Sequence, residues 1–199
     1  CDIDLAKSKI KNLESIVKSQ NKNNSFSFHE NLEDQREIFE IRKAGLNILM
    51  SMKGDRKPIA FIEDCAVTLE QLPDYTSRLK EIFKKYGTKG MFYAHASVGT
   101  LHVRPVLNMK TDHEINNMRK IAEETFDMVK QYKGSHSGEH GDGILRSEFH
   151  EKMFGKKIVQ VFENIKDTFD QKGLLNTHNI VWPYKLDDRQ LLRYKPDYK

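Results

Sequence analysis

Cysteine is scarce: Cys1 and Cys65 are the only two among 199 residues, and no Cys-x-x-Cys pair exists. A disulfide framework is excluded, as is an iron–sulfur centre within the chain; a reducing compartment, and so a cytoplasmic location, is the expectation. No apolar run approaches the roughly 18 residues a membrane span requires, and no charged segment leads into an apolar stretch as in a signal peptide. Strong charge of one sign is also lacking: 33 Lys and Arg against 29 Asp and Glu give 33 − 29 = +4, too little to imply nucleic acid. The start at Cys1 rather than methionine reads as a fragment or a processed product. What is present is 38% hydrophobic residues, with 11 Phe and 7 Tyr. That is core material for one well-buried domain or two very small ones, not for a disordered chain.

Periodicity predicts a helix over 2–19, from the spacing of Ile3, Ile10, Leu13 and Val17. A polar breaker, Asn21-Lys22-Asn23-Asn24-Ser25, opens a linker to about residue 34, so 1–34 is set apart from a domain over 35–199. A second helix is predicted over Arg36–Met52, with Ile38, Ile41, Gly45, Ile48 and Leu49 on one side. Ile59–Ile62 reads as a strand and Leu72–Tyr86 as a helix with Pro73 in its first turn. Met91–Ala96 and Leu101–Leu107 read as two strands joined tightly. Thr111 and Glu114 form a capping box for a helix running to about Tyr132. Gly134–Ser137 is a short extended piece, and Lys156–Phe169 a last helix with Ile158, Phe162, Ile165 and Phe169 on one face. The order from 58 to 137 is β-α-β-β-α-β, the ferredoxin-like order. The expected class is α+β, an antiparallel sheet with helices on one face and flanking terminal helices.

Two stretches carry chemistry. In the first, a two-residue turn at Val98-Gly99 makes paired positions sum to 197, so His95 and His102 oppose each other at about 4.5–5.5 Å between Cβ atoms. Two imidazoles there can share a metal ion, or sit half-buried with separate hydrogen bonds. The second, Gly134 to Gly143, holds four glycines and the adjacent pair Glu139-His140. It can be a ligand-approaching loop or a solvated loop tip; the phosphate-loop spacings are absent. Together they offer His95, His102 and Glu139 as a two-His, one-carboxylate metal set, with His140 adjacent as a base. Arg42 falls on the apolar side of its helix, where it can pair with an acidic substrate or reach solvent. Arg104 shares a strand face with His102, and Arg146, just past the glycine loop, holds an anion or pairs with surface acid. His29, His113, His150 and His178 read as ordinary surface or cap residues, and His136 has no matched partner.

His95-Ala-Ser-Val-Gly-Thr-Leu-His102-Val-Arg-Pro followed by Ser137-Gly-Glu139-His140-Gly-Asp-Gly resembles the C-terminal domain of FAD-linked oxidases, in the vanillyl-alcohol oxidase superfamily. That family includes D-lactate and D-2-hydroxyglutarate dehydrogenases and the glycolate oxidase flavin subunit. The likeness runs from about Arg36 to Trp182 and takes in Ile41-Arg42-Lys43-Ala44-Gly45, Ala60-Phe61-Ile62-Glu63-Asp64 and Gly173-Leu-Leu-Asn176. His-Val-Arg-Pro and the tail Asp187–Tyr194 look most like the large bacterial branch fused to an iron–sulfur domain. The resemblance implies FAD-dependent oxidation of a D-2-hydroxy acid to a 2-oxo acid. It implies a divalent metal (Zn, Mn or Fe) on His95, His102 and Glu139, proton removal by His140, and substrate contacts from Arg42 and at Thr100, while Arg104 is a candidate substrate contact from its place on the His102 face alone. Gly138 and Gly141 are expected against the cofactor. The family motif His-x-Gly-Asp-Gly-Asn-x-His is altered here at Ser97, Val98 and Thr100, the last standing where the family's asparagine can contact substrate.

The resemblance also implies a partner: the family's FAD-binding domain, for which residues 1–35 offer no substitute, with an iron–sulfur acceptor beyond it. The chain is therefore expected to be the substrate half of a longer flavoenzyme, inactive alone, with no nucleic acid and no membrane span. Two other readings of the residues remain open: a stand-alone His2Glu metal hydrolase, and a ferredoxin-like binding module without catalysis.

Overall fold

A computed structural model describes residues 3–20 and 27–198; the breaker at 21–25 and the helix start at Asp2 lie outside them. The chain divides into two compact units, Cys1–Ile48 and Leu49–Lys199. The first holds α1 (Ile3–Gln20) and most of α2 (Leu32–Met50). Neither helix buries a residue, so their apolar stripes make helices without making a core. The α2 helix starts four residues before the predicted Arg36. The Asn31 side chain accepts the Glu33 N–H at 2.9 Å, and Glu33 and Asp34 place negative charge at the helix N-terminus.

The second unit is built on β4 (Thr100–Leu107), which pairs antiparallel with β3 (Gly90–His95) along one edge. Its other edge takes two short pieces, β1 (Lys57–Pro58) and β2 (Cys65–Ala66). The strand expected at Ile59–Ile62 is therefore broken. Pro58 pairs with Val106 and Cys65 with Leu101, so six residues, 59–64, lie opposite four, 102–105. The cause is Pro105. Ile59 N–H donates to the Pro105 carbonyl at 2.8 Å, but Pro105 has no N–H to return, and the ladder stops. The chain bulges through Glu63 and Asp64, the latter at φ +63°. The extended piece at Gly134–Ser137 is likewise reduced to one bridge, Ser135 to Ala66, because β2 offers only two residues to pair with. The lateral order is thus the Ser135 bridge, β1/β2, β4, β3, the ferredoxin-like order with its fourth strand vestigial.

The α3 (Leu72–Lys85) and α4 (Asp112–Gln131) helices cover one face. Tyr75, Leu79 and Phe83 from α3 and Ile115, Met118, Ala122, Phe126 and Val129 from α4 share one core with Leu101, Val103 and Leu107 of β4. The capping box forms as expected at Thr111, whose hydroxyl accepts Glu114 N–H at 3.4 Å, but the Glu114 carboxylate accepts Asn108 N–H at 3.1 Å. Beyond α4 come α5 (Gly143–Arg146), α6 (His150–Phe154) and α7 (Lys156–Phe169). In α7 only Phe162 of the predicted inward face is even half-buried; Ile158, Ile165 and Phe169 are exposed. An amphipathic period makes a helix but does not supply the surface to cover it.

The hairpin between β3 and β4 closes by a 3-10 turn over Ala96–Val98 and Gly99 at φ +72°, not by a two-residue turn. A Cβ on Gly99 would lie 1.9 Å from the Val67 carbonyl oxygen, so the position demands glycine in both conformation and space.

Leu79→Ala should cost about 2–5 kcal/mol and Phe169→Ala less than about 0.5 kcal/mol, read as urea midpoints. Equal losses would contradict a core confined to the α3–α4 face.

Candidate functional site

Alternation along β4 sends Leu101, Val103 and Leu107 to the helices and leaves Thr100, His102 and Arg104 on the opposite face. The pairs Tyr93–His102 and His95–Thr100 place Tyr93 and His95 there too. Paired positions sum to 195, not the predicted 197. A slip of two preserves the face, so His95 and His102 become diagonal neighbours with ring centroids 5.0 Å apart, where a slip of one would have separated them.

Glu139 and His140 reach this face from the glycine loop. Glu139 Oε1 lies 2.7 Å from His102 Nε2 and 3.6 Å from both His95 Nε2 and His140 Nε2. The His140 ring stacks on His102 at 5.2 Å, and Tyr93 stacks on His102 at 4.5 Å. The His102 side chain is 2% exposed, whereas His95, Glu139 and His140 are 43%, 41% and 46% exposed. The site is a dish: a buried imidazole at its floor and three solvent-facing groups at its rim.

Glu63 lies under the floor. Its Oε1 is 3.6 Å from His102 Nδ1, and Arg104 grips it, Nη2 reaching both carboxylate oxygens at 2.9 Å. A carboxylate on the Nδ1 side turns Nε2 toward Glu139, the arrangement that orients a ligating histidine. Burial lowers the His102 pKa, and His140 and His95 add to this; Glu139 and Glu63 oppose it without reversing it. His102 is thus kept neutral, the form that binds metal. The donor atoms of His95, His102 and Glu139 lie within 4.8 Å of one another, a set able to hold one divalent cation.

Asp64 fixes the loop. Fully buried, it accepts the N–H groups of Glu139 and His140 on Oδ2 at 2.8 Å each, and its carbonyl accepts Gly138 N–H at 2.8 Å. Arg146 pairs with Oδ1 and donates to the Glu63 carbonyl at 2.6 Å. Arg146 therefore serves a buried acid, not a surface one. Burial pushes the Asp64 pKa up, but the His140 and Glu139 amides and the Arg146 guanidinium outweigh it, leaving the carboxyl below its usual range.

Among the other sequence-derived residues, Thr100 is buried beside the loop, and a Cβ on Gly138 would sit 2.8 Å from the Asp64 carbonyl oxygen and 3.3 Å from Thr100 Oγ1. Gly138 thus lets the loop lie on the sheet, while Gly141, at φ +77°, turns it. Arg42 is exposed on α2 in the first unit. His136 and His150, expected to be unremarkable, are 1% and 3% exposed. Sequence reasoning gave Glu63 and Asp64 no role; their signal was two adjacent acids inside the apolar run Ile59 to Val67.

A family model described as FAD linked oxidases, C-terminal domain, matches residues 2–180. The chain belongs to this family. Similar relatives are D-2-hydroxyglutarate dehydrogenase of Pantoea ananatis, 33% identical over 78% of this chain, and of Escherichia coli, 33% identical over 75%. D-lactate dehydrogenase [cytochrome], mitochondrial, of Arabidopsis thaliana is 24% identical over 84% of it. The chain spans about 15% of the first two relatives and 29% of the third. No helix among the described residues is long and apolar enough to cross a membrane.

Asp64→Asn should cost this FAD-linked oxidase domain about 3 kcal/mol at neutral pH by leaving Arg146 buried without its charge partner. The native carboxyl titrates below its unfolded value of about 3.9. Its contribution is therefore complete above pH ~4 and is lost as pH falls through the folded value. Melting temperatures of wild type and variant should converge toward acid pH; a pH-independent gap would contradict the pairing.

Proposed function

We propose that this chain is the substrate-side domain of an FAD-dependent dehydrogenase that oxidises a D-2-hydroxy acid to the 2-oxo acid. The observation that carries this reading is the gathering of His95, His102, Glu139 and His140 on the uncovered face of the sheet, in a member of the FAD-linked oxidase family. Relatives named for D-2-hydroxyglutarate and D-lactate support the substrate class.

His95, His102 and Glu139 hold a divalent cation, zinc, manganese or iron; the donor set, the neutral His102 and its Glu63 support suit one. When bound, the cation supplies Lewis acidity that orients the hydroxy acid and lowers the pKa of its hydroxyl. His140, half-exposed beside Glu139, takes the hydroxyl proton at its imidazole nitrogen. FAD, when bound, would supply the hydride acceptor for the hydrogen on C2. Thr100, on the face of β4 that bears His102, flanks the substrate, and Arg104 on that face serves the site indirectly, by holding Glu63 beneath His102. Gly138 and Gly141 present loop backbone to the cofactor, held mainly by an FAD-binding domain of the same polypeptide. An iron–sulfur centre would serve as the onward electron acceptor, and the cytoplasm is the compartment proposed.

The test has two parts. Manganese titrated into this chain should occupy the dish, and that equivalent should be lost in His102→Ala. In the polypeptide carrying the FAD-binding domain, His140→Asn should keep D-2-hydroxyglutarate or D-lactate binding but slow anaerobic flavin reduction about 10²–10⁴-fold. Flavin reduction unchanged in His140→Asn, or ester hydrolysis by this chain without flavin, would sink the reading.

A further inference from the structure

The glycine loop feeds a second cluster that the chemistry above does not use. His136 and Asp142 flank Glu139 and His140 in sequence, and both point away from the dish toward His150 at the start of α6. His136 Nε2 is 3.0 Å from Asp142 Oδ1, and His150 Nε2 is 2.9 Å from Asp142 Oδ2. Both imidazoles are almost fully buried, their rings packed against Phe126, Phe154 and Phe162.

With His150 neutral, the protons of this cluster do not add up without a cation. His150 Nδ1 lies 3.2 Å from the Ile180 carbonyl oxygen, which can only accept, so Nδ1 carries the hydrogen. In the neutral ring Nε2 is then a bare lone pair, facing a carboxylate oxygen that is also only an acceptor. A proton on His150 Nε2 is the rival occupant, but His150 Nε2, His136 Nε2 and Asp142 Oδ1 are all buried and none makes a well-directed hydrogen bond despite the short separations. Buried nitrogen and oxygen lone pairs that converge within about 3 Å without a shared proton suit the ligands of one ion. The His150 Nδ1–H bond to a backbone carbonyl is also the usual outer support of a ligating histidine.

We propose that His136, Asp142 and His150 form a second divalent cation site, distinct from the dish. Two imidazole nitrogens and one carboxylate oxygen, whose donor atoms lie within 4.8 Å of one another, suit zinc, with water completing the shell. Its rings sit among Phe126, Phe154 and Phe162, outside the chemistry proposed for the dish, and the role assigned to it is structural. Its ion ties the glycine loop to α6 and, through His150, to the segment at Ile180. It thereby braces the loop that carries Glu139 and His140 through ligands on either side of them in sequence. The inference is independent of the function proposed for the dish.

Zinc content of this 199-residue chain, measured by mass spectrometry after dialysis against buffered zinc, separates the two sites. The double variant His102→Ala/Glu139→Ala should retain one equivalent, and cobalt in its place should give a visible d–d spectrum. Adding Asp142→Asn, which preserves shape, should weaken zinc binding about 100-fold or more while circular dichroism stays unchanged. A metal-free His102→Ala/Glu139→Ala protein, or unchanged zinc affinity after adding Asp142→Asn, would overturn the second site, and neither outcome bears on the dish.

Discussion

The carboxylate of Asp64 is the constraint on which the rest of the site depends. A sheet face can present His95 and His102 by alternation alone, but Glu139 and His140 come from a loop rich in glycine, whose conformational freedom works against a fixed geometry. Asp64 removes that freedom by accepting both residues' amides on one oxygen, while Arg146 neutralises the other. It can do so because Pro105 halts the ladder on that edge and the chain bulges inward there. A missing N–H on one strand thus becomes a charged anchor beneath a loop on another.

The sheet divides labour between its faces. One is closed by α3 and α4 over Leu101, Val103 and Leu107, and its cohesion comes from burial. The other carries polar residues stacked in depth: Arg104 on Glu63, Glu63 beneath His102, and His102 beneath the rim of His95, Glu139 and His140. Each layer orients the one above it, and the rim of His95, Glu139 and His140 faces solvent.

Much of this was legible in the residues. The period of 3.6 marked α3 and α4, and the capping box fixed where α4 begins. The direct pairing of His95 with His102 is replaced by His95–Thr100 and Tyr93–His102, but the two histidines share a face all the same, because a shift of two residues keeps side chains on one side. The broken first strand was not legible, since periodicity reports which residues are apolar and not whether a partner strand can return a hydrogen bond. The buried faces of Ile158, Ile165 and Phe169 were over-read for a related reason: amphipathicity marks a helix, whereas burial needs a second surface. His136 and His150 went unnoticed because their contact joins a loop to a helix through tertiary packing, without regular spacing.

Amide hydrogen exchange in Asp64→Asn, followed residue by residue, tests the anchoring most directly. If Asp64 holds the loop, exchange at Glu139 and His140 should accelerate by about 10-fold or more, the equivalent of losing about 1.4 kcal/mol of local stability, while β3 and β4 keep their protection. Unchanged protection at those two amides would contradict the account.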